Sequence, residues 1–71
     1  MPQFIVNKNA QANSGDHEVH NKTTGCAYMP LAANQKDLGY HNSCHGAVSE
    51  AKKIYADSNG CYYCCNECHT T

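Results

Sequence analysis

Four of the chain's six cysteines fall within eight residues near the C-terminus, Cys61-Tyr62-Tyr63-Cys64-Cys65-Asn66-Glu67-Cys68, with His69 directly after them. They make two abutting Cys-x-x-Cys pairs, Cys61/Cys64 and Cys65/Cys68. In a tight turn such a pair points two sulfurs the same way, as a tetrahedral soft metal requires. A closed zinc site takes four ligands, so a second segment must supply two more. His20 and Cys26 are the natural source, with Thr23-Thr24-Gly25 between them able to turn the chain. The chemistry expected is a site of three cysteines and one histidine that ties the early part of the chain to the late part.

Which late pair binds is open on geometry. Adjacent residues Cys64 and Cys65 can hardly serve one tetrahedral ion without strain, so one pair should dominate. Cys44 adds another possibility: an extended run from Cys61 to Cys68 spans about 24 Å at ~3.4 Å per residue. It could reach back to Cys44, giving Cys26 and Cys44 with one C-terminal pair. The competing reading of Cys44 is a small buried apolar residue. Cys61 and Cys64 could equally be spare thiols, a disulfide, or ligands of a first or second ion. An iron–sulfur cluster is disfavoured, because Glu67 and Thr71 stand where the next cysteine of a three-residue step would fall.

The elements that must hold these residues are few. Seventy-one residues make one domain, expected to span 1–71, near the size where an apolar core alone is marginal. There is no Trp, a single Phe (Phe4), and the mean hydropathy is −0.67. A structural zinc contributes roughly 10–16 kcal/mol of apparent binding energy to folding, so a cross-link of this kind is expected to be necessary. Gln3–Val6 and His17–His20 read as short strands able to pair as a hairpin across the polar loop 7–16, which ends in Ser14-Gly15-Asp16. Tyr28–Leu31 is a small apolar patch, followed by a loop over Ala32–Leu38. One helix is expected over about 44–56: Ser43 can cap it, and Cys44, Ala47, Val48, Ala51, Ile54 and Tyr55 form one stripe. Asp57-Ser58-Asn59-Gly60 stops it. The fold class is therefore α+β: a short β-hairpin or sheet, one main helix and a C-terminal Cys-x-x-Cys knuckle, stabilised by zinc.

The pattern Val19-His20-(x5)-Cys26-Ala27-Tyr28, a helix bearing Ser49-Glu50-Ala51, and a terminal Cys-x-x-Cys resembles the Ada-type metal-binding module. The chain also resembles a family of small uncharacterised bacterial proteins that share Asp16-His17-Glu18-Val19-His20 and the ending Cys65-x-x-Cys68-His69-Thr70. The resemblance spans roughly Glu18 to His69 and implies zinc held by two early ligands and a terminal pair. It favours His20, Cys26, Cys65 and Cys68 as the ligand set. Two departures matter. Gly60-Cys61-Tyr62-Tyr63 replaces the module's Gly-aromatic-x-Pro lead, and His20 stands where the DNA-alkylation repair protein in which that module was first seen has its reactive cysteine, so methyl-acceptor chemistry does not carry over.

Five Lys and no Arg against six acids leave no clustered basic face of the kind nucleic-acid binding needs. Met1–Lys8 lacks the apolar run of a signal peptide, and nothing approaches the ~18 apolar residues of a membrane span. A cytoplasmic location, with reduced thiols, is the default expectation. His17, His41 and His45 read as surface or supporting groups, and His69 as part of a frayed end. The functional expectation is a small non-enzymatic zinc-binding module with a mainly structural ion and an unidentified protein partner. Thiol chemistry or soft-metal handling by the surplus cysteines is the alternative. Nucleic-acid or repair-complex binding is a third reading, by analogy alone.

Overall fold

In the computed structural model, which describes residues 1–12 and 15–70, strand β1 (Gln3–Asn7) pairs antiparallel with β2 (His17–Asn21). The expected hairpin is thus present, with Phe4 opposite Asn21, Ile5 opposite His20 and Val6 opposite Val19. Ser14, read as part of the turn between them, and Thr71 lie outside the described residues. Alternation sends Phe4, Val6 and Val19 to one side of the sheet and Ile5 and His20 to the other. All five are buried to 2% exposure or less.

Two strands widen the hairpin into a four-stranded sheet of order β3-β1-β2-β4. β3 (Gln35–Tyr40) runs antiparallel to β1 and β4 (Ser58–Gly60) runs parallel to β2. The first corrects the loop expected over Ala32–Leu38: only Ala32–Asn34 is a 3-10 turn, and the chain then enters β3. Gln35-Lys36-Asp37-Leu38-Gly39-Tyr40 has no β-type alternation, and its strand form comes from pairing with β1. A bulge leaves Leu38 as the extra residue between the pairs Gly39–Phe4 and Asp37–Ile5. Asp37 Oδ1 pins that bulge, accepting from Gly39 N at 3.1 Å and Gln3 Nε2 at 3.0 Å. These bonds hold the Asp37 carboxyl below its ordinary pKa.

Helix α1 (Cys44–Ile54) carries the chain from the β3 edge of the sheet to the β4 edge. Ser43 caps it as expected, its Oγ accepting from His45 N at 3.3 Å. The helix stops at Ile54 rather than near 56; Tyr55 is already extended, its N–H reaching back to Ala51 O. Cys44, Ala47 and Ala51 bury the expected stripe, with Val48 and Tyr55 at its margin. Ile54 does not follow: at about 100° per residue it falls at the edge of the stripe, in the last helical position, and is 44% exposed. The core is Phe4, Val6, Val19 and Leu38 from the sheet, the helix stripe, and the sulfurs of Cys61, Cys65 and Cys68.

The C-terminal run seats against β4 because residue 60 is glycine. A Cβ there would lie 2.7 Å from Cys68 Cβ and 2.8 Å from the Cys65 carbonyl oxygen, closer than side-chain atoms pack. Cys68 closes a disulfide to Cys44 at the helix start, with Cα atoms 6.2 Å apart. The expectation of metal in place of disulfides is corrected in part: the chain carries one cross-link by sulfur and a separate cluster of free thiols. Among the described residues no helix is long and apolar enough to cross a membrane.

Candidate metal centre

Three stretches of backbone bring four donor atoms together. β2 buries His20 completely. The chain then turns at once: Gly25 N bonds Asn21 O at 3.1 Å, and Asn21 Oδ1 accepts from Thr24 N at 3.1 Å. Gly25 completes this turn at φ +76°, a conformation glycine adopts without the penalty a Cβ imposes. Cys26 follows directly. From the other end, Cys61 N bonds Val19 O at 2.9 Å, extending the β4–β2 pairing by one residue, and Cys65 N closes a turn onto Cys61 O at 2.9 Å. That turn presents Cys61 and Cys64 to His20 and Cys26.

The donor atoms of His20, Cys26, Cys61 and Cys64 all lie within 4.8 Å of one another. Cys26 Sγ is 3.8 Å from Cys61 Sγ, and Cys64 Sγ is 3.5 Å from His20 Nδ1. For an ion with metal–sulfur bonds of about 2.3 Å and metal–nitrogen bonds of about 2.05 Å, a regular tetrahedron has sulfur–sulfur edges of about 3.8 Å and sulfur–nitrogen edges of about 3.6 Å. Both of these edges fit. The arrangement is a His/Cys cluster consistent with a metal-binding site.

The surroundings set the terms on which such an ion would be held. Burial pushes the Cys61 thiol up to about 12. The hydrogen bond shared with Cys65, then burial, pushes Cys64 up to about 11. Without a cation these sulfurs hold their protons; a bound cation reverses that balance and displaces them. Asn21 N donates to Cys64 Sγ at 3.4 Å, the kind of backbone bond that steadies a thiolate. On the far side of the imidazole, buried His20 Nε2 has no hydrogen-bond partner among the described residues. The nearest acid, Glu18, has its Oε1 3.8 Å away. Desolvation raises the Glu18 pKa, opposed by the nearby His69. A carboxylate behind the outer nitrogen of a ligating histidine is a recurrent way to fix its tautomer.

Aromatic rings link the two arms. Tyr28, two residues after Cys26, stacks on Tyr63 beside Cys64 with ring centroids 4.5 Å apart. Tyr62 meets Tyr63 and His69 edge-on at 5.2 and 5.4 Å. His69 is not frayed: its Nδ1 lies 3.0 Å from Gly60 O.

Of the favoured set His20, Cys26, Cys65 and Cys68, the first two join the cluster and the last two do not. Cys68 is bonded to Cys44, so neither sulfur is a free ligand, and the alternative set containing Cys44 is excluded with it in this state. Cys65 is a buried free thiol in the core. It hydrogen-bonds with Cys64, which lowers its pKa, but it is not among the clustered donors. Cys61 and Cys64, the alternates, occupy the places expected of Cys65 and Cys68. What the sequence lacked was a signal for β4, the three-residue strand that carries Cys61 onto Val19.

Compared with models of known families, with curated proteins and with solved structures, the chain matches none. The link to Ada-type modules therefore rests on the His/Cys cluster and on no shown kinship.

Proposed function

We propose that this chain is a small, non-enzymatic zinc-binding domain whose ion is mainly structural. The two tetrahedral edges of the His20, Cys26, Cys61 and Cys64 cluster carry the reading. Three sulfurs and one imidazole suit zinc in preference to hard cations, which take oxygen ligands. Four protein donors also leave no open position, and an open position is what a catalytic zinc uses. Held there, zinc would join β2, the Cys26 turn and the C-terminal knuckle, adding to the hold of the Cys44–Cys68 bond and a modest core.

Its working surface would be for a protein partner. Tyr28, Tyr62 and Tyr63 are each more than half exposed, their rings contact one another, and tyrosine is enriched where proteins meet. A cytoplasmic setting belongs to the same proposal. The alternative, thiol or soft-metal handling, is favoured by Cys65 and by the Cys44–Cys68 bond, neither of which the cluster uses. Nucleic-acid or repair-complex binding rests on analogy alone.

Native mass spectrometry of protein purified without added metal tests the reading. One zinc per chain, lost with the fold on chelation, is the expected result. A metal-free chain that stays folded in strong chelator would refute it.

A further inference from the structure

Outside the main cluster, a second group of soft donors sits where α1 begins. Cys44 Sγ, Cys68 Sγ and a ring nitrogen of His45 lie within 4.8 Å of one another. The two sulfurs are tied as a disulfide, while His45 is exposed beside them. The geometry points to a redox-gated second metal site: when the Cys44–Cys68 bond is reduced, Cys44, His45 and Cys68 bind one soft, thiophilic cation.

The donors are placed by backbone that does not depend on the bond between the sulfurs. Cys44 is set by the Ser43 cap and the first turn of α1. Cys68 is set by its own 3-10 turn, whose Cys68 N bonds Cys65 O at 2.9 Å. The same run is fastened to β4 by the glycine contact at residue 60, by His69 Nδ1 against Gly60 O at 3.0 Å, and by Thr70 N donating to Asn59 Oδ1 at 3.0 Å. Ser43 Oγ lies 3.4 Å from His45 Nδ1 and steadies the ring over the helix start. The 6.2 Å between the Cα atoms leaves room for the sulfurs to part to the ~3.8 Å that two thiolates on one ion require.

Cys44 and Cys68 are 4% and 8% exposed, and a cleft of about 440 Å³ opens on the Cys44 side, lined by Asn42, Ser43, Cys44, Cys65 and Glu67 among others; a reductant would approach from there. The balanced step uses a dithiol reductant: R(SH)2 and the disulfide give the cyclic disulfide RS2, Cys44–SH and Cys68–SH. Two electrons and two protons pass from reductant to protein. A divalent cation then displaces the two thiol protons and takes the His45 nitrogen. Three protein ligands leave a position open to water or to an exchanging thiol. The His20, Cys26, Cys61 and Cys64 cluster needs no redox change, so the two sites answer to different conditions.

The experiment counts Zn2+ per chain by native mass spectrometry, before and after reduction with a phosphine that does not bind the ion, with circular dichroism confirming the fold. Reduction is expected to add one ion per chain, whatever the starting count. One rising to two supports both sites, and zero rising to one would support this site while refuting the zinc cluster. His45→Ala keeps both cysteines and should weaken the added ion at least ~10-fold, since loss of even an outer-shell partner costs that much. An unchanged count on reduction overturns the proposal. So does an added ion indifferent to His45→Ala, which would mean that the released thiols bind metal somewhere else.

Discussion

The two Cys-x-x-Cys pairs share one short run of chain and the same spacing, yet their surroundings differ. Cys61 and Cys64 face His20 and Cys26 as free thiols, while Cys68 is bonded across to Cys44 and Cys65 is sealed in the core. The difference is made by backbone. Cys61 extends the β4–β2 pairing and opens a turn closed by Cys65 N on Cys61 O, so Cys64 points to β2. The next 3-10 turn, Asn66–Cys68, swings Cys68 to the helix start. A spacing motif thus says that two sulfurs can converge; the strand it grows from decides on what.

Substitutions can break this contrast, and the cluster should be the more costly half to lose. Cys61→Ser or Cys64→Ser removes a ligand and, with it, much of a binding term of roughly 10–16 kcal/mol. Loss of zinc and of cooperative unfolding is expected, read by metal content and thermal melting. Cys44→Ala with Cys68→Ala opens a bond with a sequence separation of 24 residues and should cost about 2–4 kcal/mol by denaturant titration. Zinc at the main cluster should survive that change. Equal losses from the two pairs would erase the distinction. Gly60→Ala sits between them: the clash with Cys68 Cβ and the Cys65 carbonyl should destabilise by about 1–3 kcal/mol. Glu18→Gln should have the smallest effect, weakening zinc ~10-fold through the His20 ring.

Proton linkage acts through the same sulfurs. The Cys61 thiol, by burial, and the Cys64 thiol, by its hydrogen bond with Cys65 and then burial, are raised above their ordinary 9.0, so protons compete with the ion more strongly than at an exposed thiol. Loaded protein should lose its ion, and the fold with it, as acid returns protons to sulfur. Zinc content and melting curves across falling pH check the sign.

The hairpin, the Ser43 cap and the stripe of Cys44, Ala47 and Ala51 were legible because alternation, capping chemistry and helical period are local signals. His20 and Cys26 were legible through their types and the turn between them. β3 was not, since a polar edge strand pinned by Asp37 has no period-2 pattern. Neither was β4, where Ser58-Asn59-Gly60 reads as a helix stop and is also a parallel strand. Missing β4 hid which pair faces His20. It also hid the close seat at Gly60 that brings Cys68 to Cys44.

X-ray absorption of the zinc-loaded protein is the most direct test, because it counts the ligand atoms. Three sulfurs at about 2.3 Å and one nitrogen at about 2.0–2.1 Å are predicted, unchanged in Cys65→Ser, whereas Cys64→Ser should retain no zinc to give a signal. A shell that loses a sulfur in Cys65→Ser and keeps all three in Cys64→Ser would contradict the account.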